Sequence, residues 1–191
     1  MTLKPHMGFL IALAALRNRR TLLWAVAGTL LLGAASLAAF GIQPWQRFFQ
    51  YTTSAQTDLL VRGTDGVFYY RMMPSAYVAY GRGLVGIALH AMFAIAALWV
   101  VARNKLDPFV YATATFLILP YAFNYDMTVV CLGFAIMLYS RWGELTMFER
   151  GIAAAAFLSP QLTFFVNFLV PPLLLAGLWL LSTKGSKATE E

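Results

Sequence analysis

From Thr21 to Phe40 the chain carries no charged side chain, and from Pro108 to Ser140 it carries one, Asp126. An apolar run of about 20 residues matches the roughly 30 Å hydrocarbon core of a bilayer, where a helix satisfies its backbone polar groups internally. Soluble domains hold about 25% charged residues; this chain holds 12%, against 60% hydrophobic and 15% aromatic. The pattern predicts an all-α integral membrane protein, a bundle of about six to seven transmembrane or half-membrane helices with an amphipathic interfacial helix in an outer loop. The single Cys131 excludes an intrachain disulfide and a cysteine metal cluster. The formal charge of +6 does not point to nucleic acid, because the basic residues cluster at the ends of apolar blocks. No metal-spaced His/Cys set, phosphate-cradling Gly loop or Ser/His/Asp series occurs, so neither metal nor cofactor is expected.

The first apolar block, Pro5 to Leu16, is too short for an independent span and ends in Arg17-Asn18-Arg19-Arg20. Thr21 to Phe40 follows and breaks at Gly41-Ile42-Gln43-Pro44. A polar-aromatic segment, residues 41–83, then forms the outer loop. Within it Trp45, Phe48, Phe49 and Thr52 fall at i, i+3, i+4 and i+7, which predicts an interfacial helix from Pro44 to about Leu60. Leu84 to Ala102 is the next span, and Pro108 suits a first helical position after the charged turn. As one helix, Pro108 to Ser140 would extend about 50 Å at about 1.5 Å per residue. A hairpin is expected instead, with helices from about Pro108 to Phe123 and from Met127 to Ser140, turning near Asn124. Two more blocks, about Gly151 to Phe168 and Leu169 to Leu181, are expected to turn at Pro171-Pro172, ahead of a polar tail, residues 184–191.

Positive charges at alternate ends of these blocks set the topology. Arg17, Arg19, Arg20, Arg103, Lys105, Arg141, Arg150, Lys184 and Lys187 share one side; Lys4, Arg47, Arg62, Arg71 and Arg82 share the other. Nine against five places the C-terminus in the cytoplasm. Lys4-Pro5-His6, the 41–83 loop and Asn124-Tyr125-Asp126 then face outward together, so side chains from several helices are expected to converge there on one ligand.

Each candidate has a plain structural reading beside the functional one. Lys4 either holds a lipid phosphate or snorkels to the interface, and His6 beside it donates a hydrogen bond or shuttles a proton. Arg71, with Pro74-Ser75, lies in an outer loop richer in Arg than in Asp, which calls for an anion such as phosphate or marks a solvated headgroup-facing loop. Asp126 is a site carboxylate or a cap at a membrane-surface turn. His90, within a span, reads as a hydrogen-bonded packing residue.

Lys4-Pro5-His6 opening a helix, Pro44-Trp45, Met73-Pro74-Ser75 and Pro120-Tyr121-Ala122-Phe123-Asn124-Tyr125-Asp126, in this order, resemble family 87 of the glycosyltransferases. These are polyprenyl-phosphate-sugar-dependent enzymes of the C-type membrane fold that include bacterial α-mannosyltransferases. The resemblance spans nearly the whole chain, residues 1–183, but only the C-terminal part of such an enzyme. It implies transfer of a hexose from a polyprenyl-phosphate sugar donor to a lipid or glycan acceptor on the extracytoplasmic face of a bacterial inner membrane. Lys4 and Arg71 would hold the donor phosphate; Asn124, Tyr125 and Asp126, with Ser75 nearby, would shape the sugar or acceptor end; His6 would bind or shuttle a proton. The principal catalytic Asp of such enzymes lies in an N-terminal module that this chain does not match. The expectation is therefore a fragment, inactive alone, whose missing N-terminal half or partner chain supplies that residue. A non-enzymatic transporter or lipid-handling subunit is the rival; it would be expected to carry polar residues at mid-span rather than at one face.

Overall fold

The computed structural model describes Leu10 and residues 19–62, 68–104 and 107–184. Lys4, His6, the block Pro5 to Leu16 apart from Leu10, residues 63–67, and the tail beyond Lys184 lie outside the described residues. Those described are helical, with no strand among them, and divide into two units, residues 1–65 and 66–191. Three helices are long and apolar enough to cross a membrane: Leu22–Phe40, Leu84–Arg103 and the stretch Ser159–Lys184, of 19, 20 and 26 residues. A count of six or seven would need the shorter apolar helices as well.

In the first unit, α1 (Arg19–Phe40) exposes Leu23, Trp24, Leu30, Leu31 and Phe40. None of its apolar stretch is buried, and a helix apolar on all sides suits lipid rather than water. Gly41 ends it in the left-handed region at φ +73°, with its N–H on Leu37 O at 2.9 Å, a conformation that glycine adopts without a Cβ penalty. The chain re-enters helix as α2 (Gln43–Arg47), with Pro44 in the first turn, then a π-helical turn, Phe48–Thr52, and α3 (Thr53–Arg62). The indole N–H of Trp45 donates to Ser36 Oγ at 3.2 Å, folding α2 back on α1. A helix is thus present where the aromatic spacing predicts one, but the π turn breaks its register, and Phe48 packs edge-on against Phe49 at 5.4 Å.

The second unit opens with α4 (Phe68–Arg71), an extended stretch to Ser75, and α5 (Ala76–Ala79). Gly81, at φ +80°, then turns the chain into α6 (Leu84–Arg103). The turn lies directly on this helix: a Cβ at Gly86 would collide with the Gly81 carbonyl and lie 2.7 Å from Tyr77 O. Asp107 caps α7 (Pro108–Ile118), its Oδ1 accepting from the N–H groups of Phe109 and Val110 at 2.8 and 3.1 Å. Pro108 occupies the first turn, as expected.

α7 ends at Ile118, not near Phe123. Leu119 sits at φ −80°, ψ 123°, because the ring of Pro120 disfavours the helical region for the residue before it. The chain runs irregularly to a 3-10 turn, Asn124–Met127, and re-enters helix as α8 (Thr128–Ser140). The block expected to run unbroken from Gly151 to Phe168 is two helices, α9 (Met147–Phe157) and α10 (Ser159–Val166), separated at Leu158 just before Pro160. The last turn also differs from expectation. It lies at Val166 (φ −140°, ψ 52°) and the 3-10 turn Asn167–Leu169, while Pro171 and Pro172 fall in the first turn of α11 (Val170–Lys184). Proline costs a helix nothing there, since first-turn N–H groups have no intrahelical partner.

α7 is the centre of this unit, buried from Thr113 to Leu117 and packed against α6, α8 and α11. α9 closes the bundle against α8 and α11. Glycines admit close approach there: a Cβ on Gly177 would lie 2.5 Å from Phe134 Cζ, and one on Gly133 would lie 2.8 Å from Phe109.

The two ends of the unit differ chemically. One gathers Arg103, Arg141, Arg150 and Lys184: Lys184 reaches Glu149 at 3.5 Å, and Trp99 stacks on Trp179 at 5.7 Å. The other gathers the Tyr70–Ser75 segment, the Asn124 turn and the start of α11.

Candidate functional site

Pro120 shortens α7, and the chain it releases builds this end of the unit. Tyr121, Phe123 and Tyr125 form an aromatic ladder, with Phe123 edge-on to Tyr121 and parallel to Tyr125, each at 5.2 Å. The freed C-terminal carbonyl of Ile118 lies 3.0 Å from His90 Nε2. Only a protonated ring nitrogen can donate to a carbonyl, so Nε2 carries the hydrogen and Nδ1 is left as an acceptor. That Nδ1 is buried without a partner among the described residues.

Asn124 ties three segments together. Its backbone N–H donates to Met72 O at 2.7 Å, and its side-chain Nδ2 donates to Pro160 O at 3.0 Å and to Thr163 Oγ1 at 3.2 Å. Thr163 passes the chain on, donating to Pro160 O at 2.7 Å. From the far end of α10, Asn167 Nδ2 donates to Met73 O at 2.9 Å. Asn124 thus spends its carboxamide N–H groups on a backbone carbonyl and a hydroxyl, and Asn167 on backbone carbonyls. Their oxygens, Asn124 Oδ1 and Asn167 Oδ1, are buried acceptors without a donor among the described residues. Buried acceptors in that state carry a desolvation cost of about 1–3 kcal/mol that a hydroxyl donor would relieve.

Tyr70, also buried, accepts from Arg82 Nη1 through its hydroxyl at 2.7 Å, and the guanidinium lies 4.2 Å from the ring centroid. Tyr80 OH donates to Phe168 O at 2.7 Å. Burial raises the Tyr80 pKa, so the hydroxyl keeps its proton as donor.

Of the sequence-predicted residues, this unit brings together Ser75, Asn124, Tyr125 and Asp126, with Arg71 at the margin. Ser75 is fully buried and caps α5, its Oγ accepting from Val78 N at 3.4 Å. Arg71 is exposed at the last turn of α4 and has no polar partner among the described residues. Tyr125 is largely exposed; Asp126 is half-buried in the first turn of the 3-10 segment, its N–H on Phe123 O at 3.0 Å. Lys4 and His6 lie outside the described residues, so their place beside this cluster is not part of the geometry. Tyr70, Thr163 and Asn167 escaped the sequence reading. Thr163 and Asn167 sit in a block read as one apolar span, and the signal was there: Pro160, Gln161, Thr163 and Asn167 within a few residues make a poor mid-bilayer segment. No group of three or more His, Cys, Asp or Glu able to hold a metal occurs among the described residues.

No protein-family model matches the chain, and neither a curated protein nor a solved structure shows significant similarity to it.

Proposed function

We propose that this chain is the C-terminal membrane part of a polyprenyl-phosphate-sugar-dependent hexosyltransferase, of the mannosyltransferase-like kind. It would span a bacterial inner membrane with six to seven full or half helices, with Gln43–Arg62 in the outer interface and the end bearing Arg103, Arg141, Arg150 and Lys184 in the cytoplasm. The observation that carries the reading is the bond from Asn124 N to Met72 O at 2.7 Å, which sets Met73-Pro74-Ser75 beside Asn124-Tyr125-Asp126, two motifs of the family resemblance. The two orphan carboxamide oxygens behind them suit sugar hydroxyls, which donate hydrogen bonds. Exposed Arg71 suits the donor phosphate, and Lys4 would add a second cation. Asp126 would accept from the sugar or acceptor. The principal catalytic carboxylate is assigned to no residue of this chain.

The test is donor binding, not turnover. Purified protein in detergent is titrated with radiolabelled polyprenyl-phosphate mannose and, separately, with the sugar-free polyprenyl phosphate. Saturable binding that Asp126→Asn and Lys4→Ala each weaken about tenfold, the effect of about 1.4 kcal/mol, supports the reading. Binding indifferent to both substitutions, or none to either lipid, sinks it in favour of a non-enzymatic membrane subunit.

A further inference from the structure

At the basic end of the second unit, a groove of about 590 Å³ opens between α6, α9 and α11. Phe93, Trp99, Ile152, Leu175 and Trp179 line it, together with Glu149. Trp99 and Trp179, both in the lining, stack with their planes 10° apart and join α6 to α11 there. On the Trp99 ring lies Arg103, its guanidinium carbon 4.0 Å from the ring centroid.

The charges here are unevenly matched. Asp107 spends its carboxylate on the first N–H groups of α7. Glu144 pairs with Arg141 at 3.1 Å. Glu149 accepts from Thr146 N at 2.8 Å and pairs with Lys184 at 3.5 Å. Arg103 is left with an indole face and no carboxylate among the described residues. A guanidinium stacked on an indole that itself lines an apolar groove matches a molecule with an anionic phosphate joined to a hydrocarbon chain.

We infer that this groove binds one anionic phospholipid, an acyl chain lying along Trp99 and Trp179 and the phosphate held by Arg103. The groove volume falls in the range of ligand-sized sites; its lining is mainly apolar, its one carboxylate, Glu149, is neutralised by Lys184, and Arg103 lies against the lining residue Trp99. A second copy of the chain could cover the apolar lining too, but the carboxylates at this end, Asp107, Glu144 and Glu149, are already engaged and none is spare to meet Arg103. The site is remote from the Asn124 cluster; it rests on the chain crossing a membrane and is independent of sugar transfer.

Tryptophan quenching tests it. The full chain is reconstituted in phosphatidylcholine vesicles containing a minor fraction of brominated-chain phosphatidylglycerol or, in parallel, brominated-chain phosphatidylcholine. Subtracting the signal of a Trp99→Phe/Trp179→Phe double variant isolates the pair. The expected result is about fivefold more effective quenching by the glycerol lipid, the preference that one cation near an anionic headgroup confers. Arg103→Gln abolishes the preference, Arg103→Lys retains part of it, and Arg141→Gln leaves it intact. Equal quenching by the two lipids, or an Arg141→Gln loss equal to that of Arg103→Gln, overturns the site in favour of an ordinary lipid annulus. Absence of quenching with a dimer in solution overturns it in favour of a second copy.

Discussion

Asn124 donates its backbone N–H to Met72 and its side-chain N–H groups to Pro160 and Thr163, at 2.7, 3.0 and 3.2 Å. One residue thereby joins the segment after α4, the turn after α7 and the first turns of α10. The two bonds from Nδ2, to Pro160 O and Thr163 Oγ1, are the ones a substitution of Asn124 can remove.

Asn124→Ala should lower stability by about 1–3 kcal/mol, because Thr163 Oγ1 loses a buried donor. Asn124→Asp should cost more near neutral pH, because a carboxylate would then face the Pro160 carbonyl. Thermal unfolding of the purified protein in detergent measures both; an Asp variant as stable as wild type would show that the Nδ2 bonds contribute nothing.

His90 supplies the donor for the last carbonyl of α7. His90→Leu should leave the part-buried Ile118 O without its partner and cost about 1 kcal/mol. His90→Gln, which keeps a side-chain donor, should recover part of that loss. Equal unfolding temperatures for the two variants would refute the capping role.

The contact between α8 and α11 depends on Gly177. Gly177→Ala would set a methyl 2.5 Å from Phe134 Cζ and 3.1 Å from Ala156 Cβ. Overpacking of this kind costs about 1–3 kcal/mol. Phe134→Leu in the same chain should return part of the loss, and a double-variant cycle read by unfolding temperature should give a coupling clearly different from zero.

Glu149 closes a capping box at the start of α9, with Glu149 N on Thr146 Oγ1 at 3.2 Å and Thr146 N on its carboxylate. Those bonds to Thr146, and then Lys184, hold its pKa below the ordinary carboxylate range. A carboxylate with a depressed folded pKa stabilises above its unfolded pKa, and that contribution is lost as pH falls through the folded value. Glu149→Gln should therefore lower the unfolding temperature near neutral pH and flatten its decline on acidification. Parallel pH profiles for variant and wild type would contradict this.

Local chemistry settled much of this protein before any tertiary contact. The uncharged run from Thr21 to Phe40 dictates a helix because, at that length, the helix is the arrangement that satisfies its backbone polar groups within one segment in an apolar medium. Gly41 ends it, Pro108 begins α7, and the aromatic spacing after Pro44 marks a helix, all through constraints carried by one or two residues. Asn124 to Asp126 was legible as a turn for the same reason. Only the tertiary structure decided where polar groups are shared between distant segments. Asn167 bonding Met73, His90 taking up the carbonyl that Pro120 releases, and Arg103 lying on Trp99 each join residues far apart in the chain. No periodicity encodes such pairs: a side chain's partner is set by which helices pack, and packing depends on small residues such as Gly177, whose meaning appears only against Phe134. The same cause split the Gly151 to Phe168 block. Its hydropathy reads as one span, but Pro160 and the polar residues after it are used to build one end of the bundle.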